Sequence, residues 1–217
     1  MKVKKLLTAA LCLVAVVLYG VRVYNVNHSP MLASMPNKIV HEAGTRVEMP
    51  AGYYNTGYVD LSGYNIQVVG TRLVKAEDIL SELGLTKDYY DQIETNKNCQ
   101  YVYIVTAVFD YDGKGDPTEN AIDLSSFKLV GPDYYYNFDT VLNKQDGFNP
   151  KLKNNFMFSI GSGKPFEAEL PFSIDTESEW AVSPEYLAKT NPKLLISQYP
   201  DEVYIELDTP REQSKPA

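Results

Sequence analysis

Only two cysteines and two histidines occur in the 217 residues, and each scarcity closes a class of chemistry. A structural zinc site draws about four ligands from Cys and His, which this chain cannot assemble from His28, His41 and one available thiol. A nucleophilic Ser or Cys needs a base beside it, and both histidines fall in or next to a polar, proline-bearing stretch, a poor place for a preorganised triad. Cys12 lies inside an apolar run and Cys99 inside the polar segment Asn96–Gln100. No intrachain disulfide is expected, and Cys99 reads as a small buried apolar residue. The fold must then be held by its core. Basic charge is short as well. Residues 1–24 hold four of the 20 basic side chains and none of the 28 acidic ones, so the rest of the chain carries −12. That excess of acid argues against nucleic acid and against adhesion to an anionic lipid surface. Internal repeats and low-complexity tracts are also missing.

What is present begins at the N-terminus. Leu6–Val23 is an apolar run broken only by Thr8, Gly20 and Arg22, and it is preceded by Lys2, Lys4 and Lys5. A bilayer core of about 30 Å takes roughly 17–25 helical residues, so the run sits at the short end of a transmembrane span. Tyr19 and Tyr24 fit as interfacial anchors, and three lysines before the run against one arginine after it keep the N-terminus inside. A signal-peptide cut after Gly20 would place Leu18 where a smaller residue is wanted, which favours a retained signal anchor over residues 1–24. A lipobox is rejected, because Leu11 precedes Cys12 where Gly or Ala belongs and the cysteine comes too early. The lipid bilayer is thus the first expected partner, with the remainder of the chain extracellular.

Asn25–Lys38, with Pro30 and Pro36, shows no periodicity. Residues 25–45 are read as an extracytoplasmic tether, 46–208 as the folded domain and 209–217 as a disordered tail without a second span or sortase-type signal. Within the domain, Tyr64–Leu73 alternates as a strand with a bulge signal at Gly70. Lys75–Leu83 has helical spacing and a stop at Gly84, and Thr86–Glu94 adds a helical turn with Thr86 as N-cap. Gln100–Tyr111 is apolar on both faces and should be a central strand covered on both sides. Phe127–Val130 and Tyr134–Phe138 flank the turn Gly131-Pro132-Asp133. Phe156–Ile160 and Pro165–Phe172 are expected to pair as a hairpin around Gly161-Ser162-Gly163, with Phe166, Ala168, Leu170 and Phe172 inward. Ser183–Lys189 reads as a short helix with Pro184 at its first position, and Glu202–Leu207 as the last strand. Many short strands with two or three short helices predict a mainly β, antiparallel sandwich.

The run Tyr101-Val102-Tyr103-Ile104-Val105-Thr106-Ala107-Val108, a polar loop, and Ile122-Asp123-Leu124-Ser125-Ser126-Phe127-Lys128-Leu129-Val130 resemble extracytoplasmic immunoglobulin-like domains of Gram-positive surface proteins. Leu194-Leu195-Ile196-Ser197-Gln198-Tyr199-Pro200, with Leu170-Pro171-Phe172 upstream, is similar to an uncharacterised family of membrane-anchored proteins from the same bacteria. The resemblance spans about Gly63–Asp208. It implies an immunoglobulin-like β-sandwich outside the cell and supplies no active-site residues.

Each candidate site has an ordinary counterpart. Asp110–Asp116 spaces its carboxylates like a calcium loop, but Lys114 stands at the fifth position and Ala121 at the twelfth, where oxygen ligands belong; an inter-strand turn is the preferred reading. Gly161-Ser162-Gly163-Lys164-Pro165 lacks the spacing and the Ser/Thr of a phosphate loop. Glu167/Glu169 and Glu177/Glu179 offer carboxylates for a glycosidase pair, yet alternation sets Glu167 and Glu169 on an outer face. Tyr53-Tyr54, Tyr89-Tyr90 and Tyr134-Tyr135-Tyr136 include possible glycan-stacking rings, since adjacent strand residues point to opposite faces. The resulting expectation is a non-enzymatic, membrane-anchored extracytoplasmic protein that binds a protein or envelope component, with no cofactor, metal or catalytic residue assigned. The alternatives are a cell-wall glycan-binding module and, behind it, an envelope hydrolase.

Overall fold

The computed structural model describes residues 14–24, 36–54, 57–91, 96–113, 121–143, 148–153, 155–179, 181–209 and 211–212. The chain divides into two units, residues 1–37 and 38–217. In the first, residues 14–24 are helical and their apolar side chains are exposed. No helix among the described residues is long and apolar enough to cross a membrane. The expected transmembrane helix is therefore not found, and residues 6–13 of the expected span lie outside the described residues.

In the second unit, β1 (Asn37–His41) falls inside the stretch expected as a tether. It is followed by β2 (Arg46–Glu48), β3 (Gly52–Tyr54), β4 (Gly57–Val59) and the long β5 (Tyr64–Lys75). Helices α1 (Ala76–Glu82) and α2 (Lys87–Asp91) lead to β6 (Cys99–Tyr111). Then come β7 (Ile122–Asp123), β8 (Lys128–Val130), β9 (Tyr135–Asn137), α3 (Thr140–Asn143), β10 (Met157–Phe158) and β11 (Phe166–Asp175). Helix α4 (Pro184–Thr190), β12 (Lys193–Ser197), β13 (Asp201–Glu206) and β14 (Arg211–Glu212) complete the order.

Two five-stranded sheets dominate. One runs β1-β13-β12-β8-β9; the other runs β11-β6-β5-β14, with β2 also on β5. Short ribbons β3-β4 and β7-β10 are separate from both. Leu129, Leu194, Ile196, Val203 and Ile205 from the first sheet share one apolar core with Ile66, Val68, Val105, Phe109, Leu170 and Phe172 from the second. Phe109 is stacked on Phe127 at 5.9 Å in that layer. At the ribbon β3-β4 the approach is close enough to demand glycine. A Cβ on Gly52 would stand 2.5 Å from the Tyr199 carbonyl oxygen.

β6 is central, as its two apolar faces imply, between β5 and β11. Tyr103, Val105, Ala107 and Phe109 face the main core. Val102 and Ile104 face a second cluster with Ala76, Ile79 and Leu80 of α1, Tyr90 of α2 and Leu142 of α3. Beyond Ile104 the outer face opens, and Thr106 and Val108 are half-buried. There Arg72 of β5 and Glu169 of β11 meet across β6, with an Arg72 Nη 2.9 and 3.0 Å from the two carboxylate oxygens.

Local signals translate into local structure. Register shifts between Val68 and Gly70, α1 is followed by Gly84 at φ +68°, and Thr86 Oγ1 accepts from the Tyr89 N–H at 3.2 Å. Two pairings differ from expectation. The turn at 161–164 forms, with the Lys164 N–H on the Gly161 carbonyl at 3.3 Å, but its arms do not pair as a hairpin. β11 runs antiparallel to β6 along its length, whereas β10 pairs with β7. The arms stay in contact through rings instead, Phe158 lying 4.7 Å from Phe166 and 5.4 Å from Phe109. Alternation sets which face a strand buries, not which strand it joins. The tail expected as disordered contributes β14, parallel to Arg72–Leu73 of β5, and Thr71 Oγ1 donates to the Asp208 carbonyl at 3.0 Å beside it.

Candidate functional site

The tyrosines of β9 and its preceding turn border a cleft of about 620 Å³, within the range of small-ligand sites. Its first wall is built from the turn between β8 and β9, closed by the Gly131 N–H on the Tyr134 carbonyl at 2.9 Å. The Tyr134 ring lies directly over Gly131: a Cβ there would fall 2.1–2.6 Å from three ring atoms. Only glycine leaves that seat open. The Tyr134 hydroxyl shares a hydrogen bond with Thr190 Oγ1 at 2.8 Å, which ties the turn to the end of α4.

The second wall is α4 and the loop before it. Ser183 caps the helix, its Oγ accepting from the Tyr186 N–H at 3.2 Å, and Pro184 fills the first turn where no N–H is needed. Tyr186 donates its hydroxyl to Asp133 Oδ1 at 3.1 Å. Its ring is 6.2 Å from Tyr134, edge-on, and Tyr134 is 5.7 Å from Tyr136. The loop is clipped by Asp175, whose Oδ1 accepts from the Glu177 and Ser178 N–H groups, both at 3.0 Å. The Val182 N–H returns to the Asp175 carbonyl at 2.9 Å.

Burial raises the Tyr134 hydroxyl above the ordinary phenol range and pushes that of Tyr136 well above it. Both remain neutral donors. The Tyr186 phenol is raised chiefly by its hydrogen bond to Asp133. For Asp175, burial opposes ionisation but is outweighed by hydrogen bonds from Ser178 and Glu177, so its carboxyl is held below the usual range. Asp133, Asp175 and Glu179 are the charged residues of the lining; Lys and Arg are absent from it. Tyr135, more exposed than its neighbours, also borders the cleft, and Lys128 Nζ stands 5.8 Å from its ring centre.

Of the residues singled out in the sequence, Tyr134, Tyr135, Tyr136 and Glu179 come together here. The others disperse. Tyr54 is buried with its hydroxyl on the Pro50 carbonyl at 2.8 Å, Tyr90 is buried in the second cluster and Tyr89 is exposed. Glu169 is held by Arg72, and Gln100 donates to Glu177. Asp110 is engaged by Arg46, whose Nε lies 2.9 Å from Oδ2. A guanidinium in that place opposes a calcium ion there, and residues 114–120 of the loop lie outside the described residues. Among the described residues, no cluster of three His, Cys, Asp or Glu is arranged to hold a metal. Cys99 is buried, and burial raises its thiol to about 12, which keeps it protonated. His41 ends β1; His28 lies outside the described residues.

Tyr186, Asp133 and Asp175 were not legible as members of a site. About fifty residues separate Tyr186 from the tyrosine triplet, and no spacing rule joins them. No curated protein matches this chain. One solved structure, of "a putative lipoprotein from Staphylococcus aureus subsp. aureus NCTC 8325", is similar at 9% identity and a TM-score of 0.38, over 76% of this chain and 94% of that one. Residues 38–202 match the domain of unknown function DUF5028. That match covers most of the folded unit and all of the cleft, and the chain belongs to the DUF5028 family.

Proposed function

We propose that the protein is a non-enzymatic binding module of the bacterial cell envelope. In this reading an immunoglobulin-like sandwich is held outside the membrane by the apolar N-terminus, and its cleft takes an envelope glycan. The observation that carries the reading is the cleft itself: tyrosine rings with neutral hydroxyls line an open groove of ligand size. Aromatic faces match the apolar faces of sugar rings, and phenol hydroxyls match their polar rims. Two layered, mainly antiparallel sheets support the sandwich, and the Leu6–Val23 run with its basic flank supports the anchor.

The hydrolase alternative fares less well. A general acid needs a carboxyl raised towards neutrality, and Asp175 is held low. The serine of the lining, Ser183, has its oxygen engaged as a helix cap. Pulldown of the full chain on insoluble peptidoglycan tests the proposal. Retention should fall about threefold to tenfold for Tyr186→Ala and change little for Tyr89→Ala, an exposed tyrosine outside the cleft lining. No retention of the parent chain, or full retention of Tyr186→Ala, refutes it.

A further inference from the structure

We infer that the cleft selects a glycan unit with a free amino group, carried as an ammonium, over its N-acylated counterpart; this rests on the glycan-binding reading above. Three carboxylates and no basic side chain belong to the lining. Among the described residues, the ion pairs lie elsewhere, and none engages Asp133, Asp175 or Glu179. Asp133 and Asp175 do accept hydrogen bonds, but from neutral donors, which hold the carboxylates in place and leave their charge uncompensated.

Aromatic rings point to the same ligand chemistry independently. Tyrosine faces attract ammonium groups as well as sugar rings. The Lys128 ammonium already stands over Tyr135, one ring of the lining, while Tyr134, Tyr136 and Tyr186 border the cleft with no basic side chain among its lining residues. A neutral N-acetyl sugar would stack on these rings yet bring no countercharge to the three acidic residues of the lining. An anionic polymer would be repelled, both by them and by a chain of net charge −8. An ammonium on the stacked ring satisfies rings and carboxylates together.

Calorimetric titration of the full chain, in detergent at about pH 5, where a sugar amine is carried as an ammonium while carboxylates stay largely ionised, separates the possibilities. The probes are a chitosan tetrasaccharide, a chitin tetrasaccharide and tetralysine. The chitosan oligomer should bind about tenfold or more tighter than the chitin oligomer. That preference should shrink with added salt and in Glu179→Gln, an exposed position whose change leaves the loop hydrogen bonds intact, and further in Asp175→Asn. Equal binding of the two sugars overturns the ammonium inference while sparing the glycan reading. Tetralysine binding as tightly as chitosan overturns it too, since charge alone would then suffice. Binding of none of the three overturns both.

Discussion

Asp139 carries a buried carboxylate that is satisfied by hydrogen bonds alone. Tyr90 Oη lies 2.8 Å from Oδ2 and Asn96 Nδ2 3.2 Å from it, and the Ser173 hydroxyl also donates there. The N–H groups of Val141 and Leu142, at 2.8 and 3.0 Å, hold Oδ1 at the start of α3. A buried charge is tolerated when its lone pairs are filled in this way. The carboxylate thereby joins α2, α3 and β11 through single atoms. Asp139→Asn presents an amide that must leave some of these donors unmatched. Because each orphaned buried donor costs about 1–3 kcal/mol, a loss of about 2–4 kcal/mol is expected, read as a lower urea midpoint at unchanged slope. A change within 0.5 kcal/mol would show that the network contributes little.

At the scale of elements, edges and turns matter more than strand interiors. β11 is an edge strand, and Asn149 covers part of it: its Nδ2 donates to the Glu169 carbonyl at 2.8 Å and its Oδ1 accepts from the Glu169 N–H at 3.0 Å. A side-chain amide here imitates a ladder partner, blunting an edge that would otherwise invite pairing. On the other side of the sheet, β14 extends β5 by two residues. Truncation after Asp208 removes it. Loss of about 1–2 kcal/mol of backbone pairing should lower Tm by roughly 2–8 °C at this chain length, seen by thermal unfolding of the truncated and parent chains side by side. An unchanged Tm would mean that the tail adds no stability. The strand escapes a pattern reading because two residues carry no periodicity, and parallel addition is decided by the neighbour that is already present.

For the whole molecule, the first and second units pose separate questions, one of attachment and one of recognition. If the Leu6–Val23 run anchors the chain, protease applied to intact native cells should digest the region 38–217 and leave an N-terminal fragment in the membrane fraction after alkaline carbonate washing. Deletion of residues 1–24 should prevent membrane retention. Protection of the domain in intact cells, or release of the parent chain by carbonate, would refute the anchored topology. In the proposed reading recognition depends instead on the cleft, whose walls come from β9, its turn, the end of β11 and α4.

Helix caps, the Gly70 irregularity, the central place of β6 and the inward faces of β11 and β13 follow from residue order, because each depends on side chains a few positions apart. The strands β5, β6 and β11 and the helices α1, α2 and α4 are therefore sequence-determined, as are the scarcity of Cys and His and the acidic balance, whereas β1 lies in the stretch expected as a tether and β2, β3 and β4 answer to no expected element. Tertiary structure alone decided that β10 and β11 join different partners, that β12 lies between β13 and β8, and that β14 exists. It alone brought Tyr186, Asp133 and Asp175 to Tyr134 and Tyr136. Alternation encodes which face of a strand is buried but leaves its partner open; partners are chosen by packing among distant segments, and the cleft is made of what those choices leave uncovered.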